Sequence, residues 1–176
     1  MIKAVNIAYD LSQFLKADYN QHTGSCIAYQ PKDMPEIYEP YGGLPETYVL
    51  ENTTIHQLWW TDEQMFKTLG DQLGIDVKSI STIKQPCGSC VTRHRDFFFK
   101  LKTEYPDDER TMIRANIYLE DWEPGHYITY EIGGEWYNST HWKAGEGWMW
   151  DSNHEHISAN AGLKPKYTLQ VSGFLS

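Results

Sequence analysis

His94 and Asp96 stand two residues apart within Thr-Arg-His-Arg-Asp-Phe-Phe, residues 92–98. The surrounding β-branched and aromatic residues read as a strand. Alternate side chains of a strand share a face, so this pair can approach a metal ion from one side. A third ligand is available in the C-terminal part, where His156 is followed ten residues later by Lys166 and then by Thr168. Two imidazoles and one carboxylate that leave coordination positions open form a donor set that iron(II) takes.

By itself the pair proves little. With 7 histidines and 24 acidic residues in 176, about one His-x-Asp/Glu is expected by chance. Taken alone, it reads first as a surface ion pair or a structural hydrogen bond. The weight comes from the conjunction of the pair with a distal histidine, a cation, a hydroxyl and the β-like sequence between them.

The elements that must position these residues are mostly short strands. From Val77 onward VKSISTIK, VTRHRDFFFK, RTMIRANIYL, HYITYEI, EWYNS, GWMWD and KYTLQVSGF follow one another, each rich in β-formers and separated by turn residues. Gly133-Gly134 predicts a hairpin turn between two of them. Many short strands with turn signals imply a closed or double-sheeted β structure. The clearest helix is TDEQMFKTLGDQLGI. There Thr61 is placed to cap, Gln64 completes a capping box, Met65, Phe66, Leu69 and Leu73 form an apolar stripe, and Gly74 stops the helix. Upstream, Pro31, Pro35, Pro40, Gly42, Gly43 and Pro45 predict an irregular connection. It can either arch over a site or serve only as a surface link.

The strand around Arg114 and Asn116 alternates these polar residues with Ile113, Ala115 and Ile117. Its polar face, which includes Tyr118, meets either water or a polar cavity. Trp142, Trp148 and Trp150 read as packing residues. His126, in the turn Trp-Glu-Pro-Gly-His, has no cation at the spacing seen after His156. Cys87 and Cys90 form a Cys-x-x-Cys, which admits a thiol-disulfide role or, with His94 and Cys26, a structural zinc site. The residues that follow it are strand formers, so the helix that would activate the first thiol is not expected.

Composition bounds the remaining classes. A chain of 176 residues suits one domain with a sizeable core. We expect residues 1–76 to be decoration and a helix, and residues 77–176 to be the β core. A formal net charge of −9 argues against broad nucleic-acid binding. A basic strip of Lys84, Arg93, Arg95, Lys100 and Lys102 reads as solvent-facing strand residues. The N-terminus does not read as a signal peptide, and no segment reaches transmembrane length. Three cysteines suit a reducing compartment. The expectation is a cytoplasmic protein with no membrane partner.

Residues 83–174 as a whole resemble the 2-oxoglutarate- and iron(II)-dependent dioxygenases. His94, Asp96 and His156 match that family's iron ligands, and Lys166 and Thr168 match the pair that holds the distal carboxylate of 2-oxoglutarate. The run WKAGEGWMWDSNHEHISANAG is similar to the family's Trp-x-x-Gly turn leading to an acidic residue and the distal histidine. His154 and His156 compete for the third position, and the spacing to Lys166 favours His156. A weaker likeness, to the aspartyl/asparaginyl β-hydroxylase branch, rests on QPCGSC and MIRANIYL and places Arg114 and Asn116 beside the cosubstrate. Asp96 departs from that branch, which often lacks the acidic ligand, and Lys166 departs from the usual arginine by offering a point charge in place of a fork.

The resemblance implies a mainly β fold with N-terminal helical decoration, the double-stranded β-helix or jelly roll of cupins and these oxygenases. It further implies Fe(II), 2-oxoglutarate and O2, with hydroxylation of a peptide, nucleotide or small molecule and release of succinate and CO2. The alternatives are a cupin-like jelly roll that binds a metal or ligand without turnover, and a metal enzyme that uses no 2-oxoglutarate and so has no need of Lys166.

Overall fold

The computed structural model describes residues 1–19, 23–25, 34–45 and 50–176. Two antiparallel sheets make up the body. The larger has the order β1 (Ile2–Asn6), β9 (Glu146–Asp151), β6 (Met112–Tyr118), β11 (Lys166–Leu175), β4 (Ile75–Gln85), β3 (Thr54–Trp60) and β2 (Thr23–Ser25). The smaller has the order β5 (Cys90–His94), β10 (His156–Asn160), β7 (His126–Ile132) and β8 (Glu135–Ser139). From β4 onward, apart from the β7–β8 hairpin, strands consecutive in sequence switch between the sheets, as they do in a jelly roll. The fold is therefore mainly β, with few helices. The first three strands, β1 to β3, lie upstream of Val77, where the sequence reading began its strands.

Strand alternation gives the large sheet two unlike faces. Register places Val171 beside Ala115 and Met149, and Leu169 beside Ile117. These side chains are buried against Phe14 of α1 (Ser12–Leu15) and against Met65, Leu69 and Leu73 of the long helix. The intervening residues form parallel rows on the other face, toward the small sheet. One row is Trp150–Arg114–Ser172, the next is Trp148–Asn116–Gln170, and a third pairs Tyr118 with Thr168.

Two short helices, α1 and α2 (Pro35–Tyr38), precede the long helix, α3 (Glu63–Leu73). Its N-cap is Asp62 and not Thr61, because Asp62 has extended backbone and its carboxylate accepts from the Met65 N–H at 2.7 Å. An acidic cap satisfies an orphan donor and faces the positive end of the helix. Gln64, expected to complete a capping box, bonds instead to Thr68 at 3.1 Å. Gly74 closes the helix at φ 69°, a left-handed turn that glycine makes without penalty. The hairpin between β7 and β8 turns at Gly133 and Gly134, both at positive φ.

Residues 31–33 of the proline-rich connection lie outside the described residues. The part that follows contains α2 and a 3-10 turn, Glu39–Tyr41, and it rests against β5. Met34, Ile37 and Tyr38 cluster with Leu44 and Phe97, and the Tyr38 hydroxyl donates to the Arg93 carbonyl at 2.6 Å. The run VTRHRDFFFK, read as one strand, ends earlier: β5 stops at His94, and Phe99–Glu104 form helix α4. Among the described residues no helix is long and apolar enough to cross a membrane.

Candidate metal centre

His94 ends β5, Asp96 follows two residues later, and His156 opens β10 directly opposite His94 in the register. Pairing thus joins ligands that are far apart in sequence. Their ligating atoms all lie within 4.8 Å of one another, and the two imidazole centroids are 4.1 Å apart. Among the described residues this is the one such group of His, Cys, Asp and Glu.

Each imidazole has a preset tautomer. His94 Nδ1 is 2.8 Å from the Thr92 carbonyl, and His156 Nδ1 is 3.3 Å from the His154 carbonyl. A carbonyl only accepts, so Nδ1 carries the proton and Nε2 keeps its lone pair for a metal. Burial, and then the neighbouring His94 ring, push His156 down to about 3. Burial likewise lowers His94 against the opposing pull of Asp96. Both rings are neutral at pH 7, the state a metal requires.

Asp96 is only 8% exposed. Burial pushes its carboxyl upward, but the Arg114 guanidinium and the two imidazoles outweigh burial and hold it below the usual carboxylate value. Arg114 Nη1 donates to Oδ1, and Trp150 Nε1 donates to Oδ2 at 2.8 Å. Oδ2 also faces His156 Nε2 at 3.8 Å. An ionised carboxylate with two neutral imidazoles is a donor set that fits a divalent metal, with open positions as iron(II) prefers.

Lys166 stands at the far end of the same interior face. It is buried, and its ammonium donates to Tyr127 O at 2.7 Å, Ser158 Oγ at 2.7 Å and Ala159 O at 3.1 Å. Among the described residues no carboxylate pairs with it, and burial pulls it well below the usual lysine value. Ser158 in turn donates to Gln85 Oε1 at 2.8 Å. Ser158 lies two residues along β10 from His156, roughly 7 Å at the strand rise. Thr168 is buried on the same face of β11 as Lys166. Asn116 Oδ1 is buried on that face too, without a hydrogen-bond partner, so a donor from water or a bound molecule is called for.

The remaining candidates have partners of their own. His154 turns away to Asp151, with Nδ1 3.0 Å from Oδ1. His126 Nε2 is 3.0 Å from the Lys164 carbonyl. Arg114, placed beside a cosubstrate by the weaker resemblance, is bound to Asp96 and Ser172. Trp142 packs flat on Tyr118, 4.0 Å between centroids. Trp150, read as packing, donates to the site. Burial raises the Cys90 thiol, the opposite of what an activated thiol needs. Cys26 lies outside the described residues. Of the basic strip, Arg93 pairs with Glu155 and Arg95 with Glu36.

Ser158, Gln85, Trp150 and Ser172 were not anticipated as site residues. For Ser158 a signal existed, since it shares a strand face with His156 in His-Ile-Ser. Ser172 likewise shares a strand face with Lys166 and Thr168, whereas Gln85 and Trp150 come from strands brought alongside only by folding.

No protein-family model matches the chain, and no curated protein matches it in sequence. The likeness is structural. A prolyl-4-hydroxylase from Pseudomonas putida aligns over 99% of this chain and 91% of its own, at a TM-score of 0.55 and 17% identity. SnoK, a non-haem alpha-ketoglutarate-dependent carbocyclase from nogalamycin biosynthesis, aligns over 97% of this chain and 78% of its own, at 0.59 and 12% identity. Identities this low establish a shared fold, the double-stranded β-helix, and nothing finer.

Proposed function

We infer that this protein is an iron(II)- and 2-oxoglutarate-dependent dioxygenase that hydroxylates its substrate. The observation that carries the reading is the convergence of His94, Asp96 and His156, each already in the protonation state and tautomer that ligation needs. The two structural neighbours described as a prolyl-4-hydroxylase and an alpha-ketoglutarate-dependent carbocyclase support it.

His94, Asp96 and His156 would hold the iron. Bound there, the metal would supply dioxygen activation coupled to the decarboxylation of 2-oxoglutarate to succinate and CO2. The distal carboxylate of the cosubstrate would lie against Lys166, with Ser158 and Thr168 beside it. An arriving carboxylate restores the preference for the charged ammonium that burial has eroded. It would also replace one of three neutral acceptors with an anionic one, a stronger bond in a dry site. Tyr130 and Trp150, both almost fully buried, lie beside the His156 ring with centroids 6.3 and 4.8 Å from its own, and would keep water from the reacting groups.

A second reading, a cupin-like metal-binding jelly roll without 2-oxoglutarate, rests on one observation: the three N–H groups of Lys166 already have partners. Anaerobic titration of the metal-free protein separates the two. Iron(II) followed by 2-oxoglutarate should produce the visible charge-transfer band of a chelated keto acid, absent in His94→Ala and weakened in Lys166→Met. Iron binding without the band would favour the second reading, and no iron binding would overturn both.

A further inference from the structure

We propose that Arg114 and Trp150 are positioning residues that fix the orientation of the Asp96 carboxylate for metal binding. The inference rests on the metal reading above, but is carried by separate observations. Arg114 and Trp150 are register partners on β6 and β9, and Ser172 on β11 completes their row across three adjoining strands. All three belong to the large sheet, whereas His94 and His156 belong to the small one. Asp96 is the ligand that spans the gap, and it is the one that β5 does not hold, since the strand ends at His94.

Its two oxygens are engaged differently. Oδ1 takes the Arg114 guanidinium, while Oδ2 takes the indole N–H at 2.8 Å and faces His156. A carboxylate oxygen has two lone pairs, so the indole leaves Oδ2 one for a metal. Arg114 is itself held on three sides: its Nε donates to Ser172 Oγ at 3.0 Å, its charge meets Asp96, and its guanidinium carbon lies 5.4 Å from the centre of the Phe98 ring. Phe98 adopts φ 53°, a conformation that a bulky residue rarely takes. This turn, two residues past Asp96, carries the ring under the guanidinium. Strained backbone of this kind gathers where the surroundings fix a geometry used in function. Gly173 belongs to the same construction: a Cβ there would meet Asp76 O at 2.0 Å, and the irregular register between Ser172 and Gly173 lies beside the hydroxyl that steadies Arg114.

The opposite role for Arg114 is that of a competitor that neutralises Asp96 and must be displaced. The two roles predict effects of opposite sign. Cobalt(II) serves as the probe, followed by its visible absorption in wild type, Arg114→Met, Arg114→Lys and Trp150→Phe, with thermal unfolding of each metal-free protein recorded alongside. Positioning predicts affinity about 10–100-fold weaker in Arg114→Met and Trp150→Phe, an intermediate value with partial recovery of the band shape in Arg114→Lys, and cooperative unfolding in all. Unchanged or tighter cobalt binding by folded Arg114→Met overturns the proposal while leaving the metal site standing. If Arg114→Met fails to fold, Trp150→Phe, which keeps most of the ring, decides by the same criterion. Absence of cobalt binding to wild type overturns the metal reading itself.

Discussion

The two faces of the large sheet are made by the same strands and do opposite work. On the helix side, Ile113, Ala115, Ile117, Met149, Leu169 and Val171 are fully buried among apolar neighbours. One residue over, Arg114, Asn116, Tyr118, Thr168 and Ser172 face the small sheet, holding a carboxylate, an orphaned acceptor and buried hydroxyls. The contrast shows how a jelly roll can afford a polar interior. Burying polar groups costs stability unless each is partnered, and the helix-backed face supplies the apolar burial that offsets it.

A crossed pair of substitutions breaks the comparison most directly. Leu169→Ala should lower stability by about 2–5 kcal/mol, read by urea denaturation, and leave the metal affinity of the folded fraction unchanged. His156→Ala should abolish saturable metal binding, read by cobalt titration, and leave a cooperatively folded protein. Finding both effects in one variant would mean that the faces are not separable.

Lys166 sharpens the same division within the interior face. Lys166→Met should weaken 2-oxoglutarate binding by about 1.5–3 kcal/mol, the range for a hydrogen bond to a charged group, with metal affinity untouched. Equal cosubstrate affinity in calorimetry would assign Lys166 to structure alone.

The interior face should also be the one that senses pH. His156 is held at about 3 against an ordinary 6.5. Its folded value is depressed, so between about 6.5 and 3 the unfolded chain binds a proton that the folded chain refuses. Stability of the metal-free protein should therefore fall as pH drops through that window, by up to about 1.4 kcal/mol per pH unit. Denaturation midpoints at pH 7 and 5 test this, and His156→Gln should flatten the slope. A wild-type midpoint that does not move would show that the ring titrates as it does in water.

The smallest effect belongs to the helix behind the apolar face. Asp62→Ala should cost about 1 kcal/mol through the lost cap, whereas Thr61→Ala should cost little. A thermal-melt comparison in which Thr61→Ala is the more damaging would restore the cap to the residue that the sequence suggested.

Local chemistry was legible along the chain. Gly133-Gly134 announced the β7–β8 hairpin, the stripe from Met65 to Leu73 announced α3, and alternation around Arg114 showed that one face would be polar. Strand limits were less legible: Phe97 to Phe99 favour strand by composition, yet the chain turns at Phe98 and enters α4. Propensity there yields to the packing of Phe98 with Leu101 and Phe174.

Residue type and spacing along the chain determined which groups could act as ligands and which faces would be apolar, because both depend on neighbours within a few residues. Tertiary structure alone decided that β10 would pair with β5 to set His156 opposite His94. It likewise decided that Arg114 would meet Asp96 and that Trp150 would donate to the carboxylate. Each of these depends on pairing between segments far apart in sequence, and no local pattern encodes which strands will become neighbours or which buried donor a buried charge will find.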